Sequence, residues 1–242
     1  MPIRRVLITR PREDAASLSR ALQSLGIEAI SEPLLEIDFL PQPALDFAGV
    51  QALLITSLNG VRAVAQAAAR RDLKLLTVGD ATAALARDFG FSDVSSAAGD
   101  ARALAALARS MLQPVAGRLL HVSGKSVAGN LLDEVAAAGF DCASLLLYDA
   151  RPAAALSPAC RAALRGNTLD AVLFFSPRTA ATFVRLAAAA TVAESCARLI
   201  AVCLSDATAV AAAGLTWQRV AIAAAPNQAA LLRRLQQEVD GG

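Results

Sequence analysis

The chain has few of the side chains on which most enzyme chemistries depend. Of its 242 residues one is histidine, one tyrosine, one tryptophan and four are cysteine. The histidine, His121, lies inside the apolar run "RLLHV". With no second histidine and no cysteine cluster, a zinc site is not expected. A Ser–His–Asp triad would have to use this strand-embedded imidazole, which argues against a serine nucleophile. Cys142, Cys160, Cys196 and Cys203 contain no CxxC pair and have apolar neighbours, the pattern of buried reduced thiols. Lysine occurs only at 74 and 125, the arginines are scattered, and the net charge of +2 gives no footprint for nucleic acid. No run approaches the roughly 18 apolar residues of a membrane span. The apolar part of "MPIRRVLITRPRED" is too short for a signal peptide. These absences lead us to expect a soluble, cytoplasmic protein with no membrane or nucleic-acid partner.

What the chain does have is hydrophobic residues, 55% of the total, although much of this is alanine and only 4% is aromatic. Alanine favours helix and buries little surface, so the core is expected from Val, Leu, Ile and Phe. Short aliphatic runs at Val6–Thr9, Leu53–Thr56, Leu75–Val78, Leu119–Val122, Val172–Phe175 and Leu199–Cys203 read as strands. Between them, segments such as Ala15–Leu25, Val61–Ala69, Ala101–Met111 and Gln228–Val239 have helical period. Near-continuous apolar strands alternating with helices predict α/β architecture with parallel sheets covered on both faces.

The sequence also resembles itself. Residues 5–38, "RVLITRPREDAASLSRALQSLGIEAISEPLLEID", align without gaps on 118–151, "RLLHVSGKSVAGNLLDEVAAAGFDCASLLLYDAR". Arg5 meets Arg118, Gly26 meets Gly139 and Glu36 meets Asp149. Further pairs are "ALLITSLNGVRAV" with "VLFFSPRTAATF", "VGDATAALARDFGF" with "CLSDATAVAAAGLT", and "AAGDARALAAL" with "AAAPNQAALLRRL". Two copies of a βα pattern predict two similar domains. The equivalent segments 31–41 and 144–153 are extended in character and end near prolines, which suits inter-domain connections. If both are crossovers, residues 1–34 belong with 151–242, and 35–150 form the other domain. Two contiguous halves are the alternative that pattern alone leaves open.

In parallel α/β proteins the loops after the strands form the ligand-binding edge. Here they read "TRPRED", "TSLNGV", "VGDATA", "VSGKSVAG", "FSPRTA" and "LSDATA". Their Ser, Thr, Asp and Asn can cap the following helices, and Pro177 suits a first helical position. Free N–H groups at such ends also attract carboxylate or phosphate, each worth about 0.3–1 kcal/mol when exposed. No loop matches GxxxxGK[ST] or GxGxxG, so a nucleotide site is not expected. Asp80 and Asp206 read as outward-facing caps, and Tyr148 as either a cover for its strand or a phenolic donor. Two Ser-led loops, at Ser57 and Ser176, occupy equivalent places, which again speaks against either serine being a nucleophile.

With "LITRP", "ITSLNGV", "TVGDATA", "LLLYDARP", "FFSPRTAATF", "CLSDATA" and "PNQAALL" spread over nearly the whole chain, the sequence resembles the uroporphyrinogen-III synthase family. The resemblance implies two flavodoxin-like α/β domains joined by a two-strand β-ladder linker. The N-terminal βα unit would then lie in the domain built from the C-terminal half. It implies the closure of a linear tetrapyrrole, hydroxymethylbilane, to uroporphyrinogen III with loss of water and inversion of ring D, without cofactor or metal. Tyr148 matches the family's cleft tyrosine and would assist the departing hydroxyl, although a phenol is a weak acid at neutral pH. Substrate contacts are expected from Arg10 in the first loop, from Ser57, Asn59 and Gly60, and from Thr82. The fourth loop would supply Ser123, Gly124 and Lys125; the last two would supply Ser176, Pro177 and Arg178, then Ser205 and Thr208. "VSGKSVAG" departs from the family pattern, which often carries an arginine and more glycine there. The expected state is a monomer, and the bilane's instability would favour transient contact with the upstream deaminase. The competing reading is a non-enzymatic, two-domain binding protein for an anionic metabolite. A relative associated with transcription finds no basic recognition helix here.

Overall fold

The structure, a computed structural model, describes residues 3–42, 45–125 and 130–240. The end of the "VSGKSVAG" loop, residues 126–129, lies outside them. Along the chain, β1 (Arg5–Ile8), α1 (Arg12–Ser24), β2 (Glu28–Ser31), β3 (Leu35–Phe39) and β4 (Val50–Ile55) come first. Then follow α2 (Leu58–Ala67), β5 (Leu75–Thr77), α3 (Asp80–Asp88), β6 (Val94–Ser96) and α4 (Ala101–Met111). The next elements are β7 (Arg118–Gly124), α5 (Leu131–Ala136), β8 (Cys142–Pro152) and α6 (Pro158–Arg165). The chain closes with β9 (Ala171–Phe174), α7 (Pro177–Ala189), β10 (Ile200–Cys203), α8 (Asp206–Ala212), β11 (Arg219–Ile222) and α9 (Gln228–Asp240).

These elements form two compact units, one of Met1–Glu36 with Arg151–Gly242 and one of Ile37–Ala150. The first holds a sheet of order β11-β10-β9-β1-β2, all parallel. Numbered within the unit this is 2-1-3-4-5, the flavodoxin order. The second sheet runs β3-β8-β7-β4-β5-β6, and β8 through β6 are parallel. If β7 and β8 are counted as strands one and two, the order is again 2-1-3-4-5, circularly permuted. The self-similarity in sequence thus has a structural meaning: residues 5–31 and 118–148 fill the same two strand positions in the two sheets. Gly26 and Gly139, equivalent in that alignment, have φ of +73° and +88° and end α1 and α5 alike. Ile27 N–H bonds Leu22 O and Phe140 N–H bonds Val135 O, and a left-handed residue at this point is made easy by glycine.

Each sheet is packed on both faces. In the first unit α1 and α9 cover one face through Leu18, Leu22, Leu231 and Leu235. On its other face α6, α7 and α8 bring Leu164, Phe183 and Ala212 against Val172 and Phe174. In the second unit α2 and α3 cover one face and α4 and α5 the other. Strand β9, with all four side chains fully buried, shows why an unbroken apolar run marks a strand covered on both sides. Alanine takes a larger part in the core than its size suggested. Ala63, Ala86, Ala105, Ala108, Ala180 and Ala187 are buried on the helix faces that meet the sheets, where a small side chain lets the helix approach closely. Among the described residues no helix is long and apolar enough to cross a membrane, and no group of three or more His, Cys, Asp or Glu is placed to hold a metal ion.

Candidate active site

In the 2-1-3-4-5 order, the topological switch point lies between strands one and three, and ligands bind beyond the strand ends there. In the first unit these strands are β1 and β9. Arg10 follows β1 and lies over the Phe175 ring, 4.5 Å from its centroid, with Nη1 donating to Gln228 Oε1 at 2.9 Å and Nη2 3.3 Å from Asp14 Oδ2. Arg10 is therefore already engaged by α1, α9 and the residue that follows β9. Ser176 caps α7, accepting the Thr179 N–H at 3.2 Å, and Thr179 Oγ1 stands 3.1 Å from Ser176 Oγ. Ser205 caps α8 in the same way with Thr208. Pro177 occupies the first turn of α7 and is exposed. The half-buried Arg178 makes no ion pair or side-chain hydrogen bond among the described residues, which leaves its guanidinium available beside that helix start.

In the second unit the switch-point strands are β7 and β4. Ser57 caps α2 and accepts the Gly60 N–H at 3.0 Å. The same Oγ lies 3.0 Å from the Tyr148 hydroxyl. Tyr148 comes from β8, where Leu145 and Leu147 face the core beneath α2 and α3. Strict alternation would turn residue 148 to the opposite face. The β7–β8 register instead shifts between Ser123 and Gly124, so that Gly124 pairs with Tyr148, and the ring packs on the α2 side. An extra residue in one strand re-aims a side chain in this manner. Gly124 makes the room: a β-carbon there would lie 2.6 Å from Tyr148 Cε2. Lys125 donates its N–H to Tyr148 O at 3.1 Å, and its Nζ is 3.2 Å from Asp149 Oδ2.

The remaining expected residues have side chains engaged elsewhere or buried. Asn59 Oδ1 accepts from Arg62 Nη1 at 2.9 Å. Thr82 is buried in the first turn of α3. Ser123 is buried and bonds Ser144 Oγ at 2.6 Å, on the face of the sheet that carries α4 and α5. Asp80 and Asp206 are exposed first-turn residues, not caps; Gly79 and Ser205 hold those positions. Their carboxylates serve the helices through the dipole. His121 is 2% exposed, its Nε2 lies 3.2 Å from Thr56 Oγ1, and its Nδ1 is buried without a partner among the described residues. Burial pushes its pKa down, which favours the neutral imidazole. Among the described residues no hydrogen bond joins it to Ser57, so this imidazole does not serve that serine as the base a nucleophile requires. The pairings Tyr148–Ser57, Arg10–Phe175 and His121–Thr56 were not read from sequence, since each joins segments distant in the chain.

The chain matches the family model described as Uroporphyrinogen-III synthase HemD over residues 16–233. No curated protein sequence matches it. Among solved structures it is similar to a uroporphyrinogen-III synthetase from Helicobacter pylori 26695, with a TM-score of 0.64 at 16% identity over 96% of this chain and 97% of that one. It is also similar to a mutant uroporphyrinogen III synthase from the extremely thermophilic bacterium Thermus thermophilus, with a TM-score of 0.57 at 18% identity over 99% of this chain and 100% of that one. At these identities the structures speak for the fold, whereas the family model spans most of the sequence and carries the assignment. The chain thus belongs to the uroporphyrinogen-III synthase family.

Proposed function

We propose that the protein closes hydroxymethylbilane to uroporphyrinogen III with inversion of ring D, acting as a cyclising lyase that releases water. The observation that carries this reading, beside family membership, is the Tyr148 hydroxyl held 3.0 Å from Ser57 at the start of α2. It sets a hydrogen-bond donor next to a helix N-terminus, where a hydroxyl can be helped to leave and an acidic side chain can be held. The chemistry asks for little more. Hydroxide leaves with the C–O electron pair as the pyrrole nitrogen donates its own, giving an azafulvenium cation. The substituted carbon of ring D attacks this cation to form a spiro centre. One bond of that centre breaks, the ring recloses inverted, and loss of a proton from carbon restores the pyrrole. That proton and the hydroxide together make the one water released.

Direct closure, which needs no protein, gives the type I isomer, so the protein's contribution is to hold a folded conformer. In this reading the helix starts at Ser57, Ser176 and Ser205, with Arg178 and Lys125, hold the acetate and propionate groups. Tyr148 assists the first step. The work is placed in the cytoplasm, in a monomer, with transient contact from the deaminase that supplies the unstable bilane. Hydroxymethylbilane generated by a deaminase, treated with this protein, oxidised and separated by chromatography provides the test. A predominance of type III uroporphyrin is expected. Type I alone, at the spontaneous rate, from folded protein would overturn the reading and leave a binding protein for anionic metabolites.

A further inference from the structure

The cap of α2 is built differently from its counterparts. At Ser176 and Ser205 the cap hydroxyl is met by a threonine three residues on, with Oγ–Oγ1 distances of 3.1 Å and 3.0 Å. In α2 that third residue is Gly60, which supplies its N–H to Ser57 Oγ but no hydroxyl. Tyr148 Oη stands in the place of the missing threonine oxygen, 91 residues away in sequence. The shifted register at Ser123/Gly124 turns the ring toward α2, and the bare backbone of Gly124 lets the ring pass close to β7. Two glycines, one shift of register and one serine therefore converge on a single phenol.

A serine hydroxyl carries one proton and two lone pairs. One lone pair of Ser57 accepts the Gly60 N–H, and among the described residues Tyr148 Oη is its only other hydrogen-bond partner. We infer that Ser57 is a positioning residue: it donates to Tyr148 Oη and so leaves the phenolic proton pointing away from the protein, toward the hydroxyl that departs. The chain Gly60 N–H to Ser57 O–H to Tyr148 O–H runs outward from the positive end of α2. Each donor in such a chain polarises the next. At the equivalent cap in unit one, Thr179 Oγ1 both meets Ser176 Oγ and donates to Ser176 O at 2.9 Å, so that pair of hydroxyls is closed onto the protein. The inference rests on the proposed reaction for the identity of the acceptor, and on the structure alone for the orientation of Tyr148. Ser57 makes and breaks no covalent bond.

Because Tyr148 is the only tyrosine, its near-ultraviolet absorption reports its hydroxyl directly, with Tyr148→Phe as the blank. Ser57→Ala should shift the tyrosine band of the free protein, and Ser57→Thr, which keeps the hydroxyl, should restore it. In turnover, Ser57→Ala should lower kcat by about three- to tenfold with KM little changed, the range set by one net hydrogen bond. Ser57→Thr should recover most of that loss. In a Tyr148→Phe background the Ser57→Ala effect should vanish, whereas a loss arising only from the weakened helix cap would persist. An unshifted band, or an undiminished Ser57→Ala effect in that background, overturns the positioning role. A shifted and rescued band in a protein that makes no type III isomer would overturn the proposed reaction and leave the orientation of Tyr148 standing.

Discussion

The two units share the 2-1-3-4-5 strand order and a serine cap at the equivalent helices α2 and α7, yet their switch points are finished in opposite ways. In the first, Arg10 is clasped by Phe175, Gln228 and Asp14, and Ser176 is closed by Thr179. In the second, the position equivalent to Thr179 is Gly60, and the open hydroxyl of Ser57 meets Tyr148. One repeat presents a hydrogen-bonded phenol at its strand ends; the other presents helix starts with a charged side chain, Arg178, beside them. The duplicated framework thus differs between its two copies at a few loop residues, Gly60 against Thr179 above all. The cores diverge as well. Phe174, Phe183 and Trp217 form an aromatic cluster in the first unit, while the residue equivalent to Phe183 in the second is Val64, also fully buried.

The largest effect should come from breaking that core difference. Phe183→Ala removes the ring shared by Phe174 and Trp217 and should cost about 3–5 kcal/mol in denaturant unfolding. Val64→Ala, at the equivalent place, should cost about 1–2 kcal/mol, because fewer methyl groups leave the core. Equal costs would mean that the aromatic cluster adds nothing to the packing. The next effect lies at the caps. Gly60→Thr would give Ser57 the partner that Ser176 has and displace Tyr148; its β-carbon, 3.0 Å from Ile55 Cγ2, requires only a small shift. The expected result is a loss of about three- to tenfold in kcat, as for loss of one hydrogen bond, with the tyrosine absorption altered in the free protein. Full activity with an unaltered band would mean that the Gly60–Thr179 difference does not set the two switch points apart.

The smallest effects are in pH dependence, and they differ in sign between the units. His121, in the second unit, has its pKa lowered by burial. Below the ordinary imidazole range, about 6.5, the unfolded chain gains a proton that the native state refuses, so stability falls as pH drops. In the first unit burial raises the thiol of Cys160 and pushes Cys196 and Cys203 up to about 12. Above the ordinary thiol range the unfolded chain releases protons that the native state keeps, so stability falls as pH rises toward the native values. Each such group contributes on the order of 1 kcal/mol per pH unit within its window. Chemical denaturation from pH 5 to 10 should show His121→Gln flattening the acid side and Cys203→Ala the alkaline side. An unchanged slope in either variant would remove that group from the account.

How much of this was legible in the sequence depended on how local the cause was. Strands β1, β4, β5, β7, β9 and β10 read clearly because both of their faces are covered and their side chains form unbroken apolar runs. Strands β2, β6 and β11 stand at or near sheet edges with half-exposed side chains and gave no such run, so they passed unread. Ser57, Ser176 and Ser205 were marked as helix-start residues by the loop pattern, since capping is settled within four residues. Asp80 and Asp206 were misplaced by one position as caps, because Asp-Ala-Thr-Ala is a first turn whose cap lies just before it.

By itself, then, the sequence determined the α/β class, the repeat of one βα pattern and the residue types at each strand end. All of these follow from hydrophobic period and short-range hydrogen bonding. Tertiary structure alone decided which of those ends meet. The 2-1-3-4-5 order brings β4 beside β7, the register shift turns Tyr148 toward α2, and Gly124 leaves space for its ring. A contact between residues 57 and 148 depends on pairing, twist and packing summed over the whole sheet, and no local pattern of residues carries that sum.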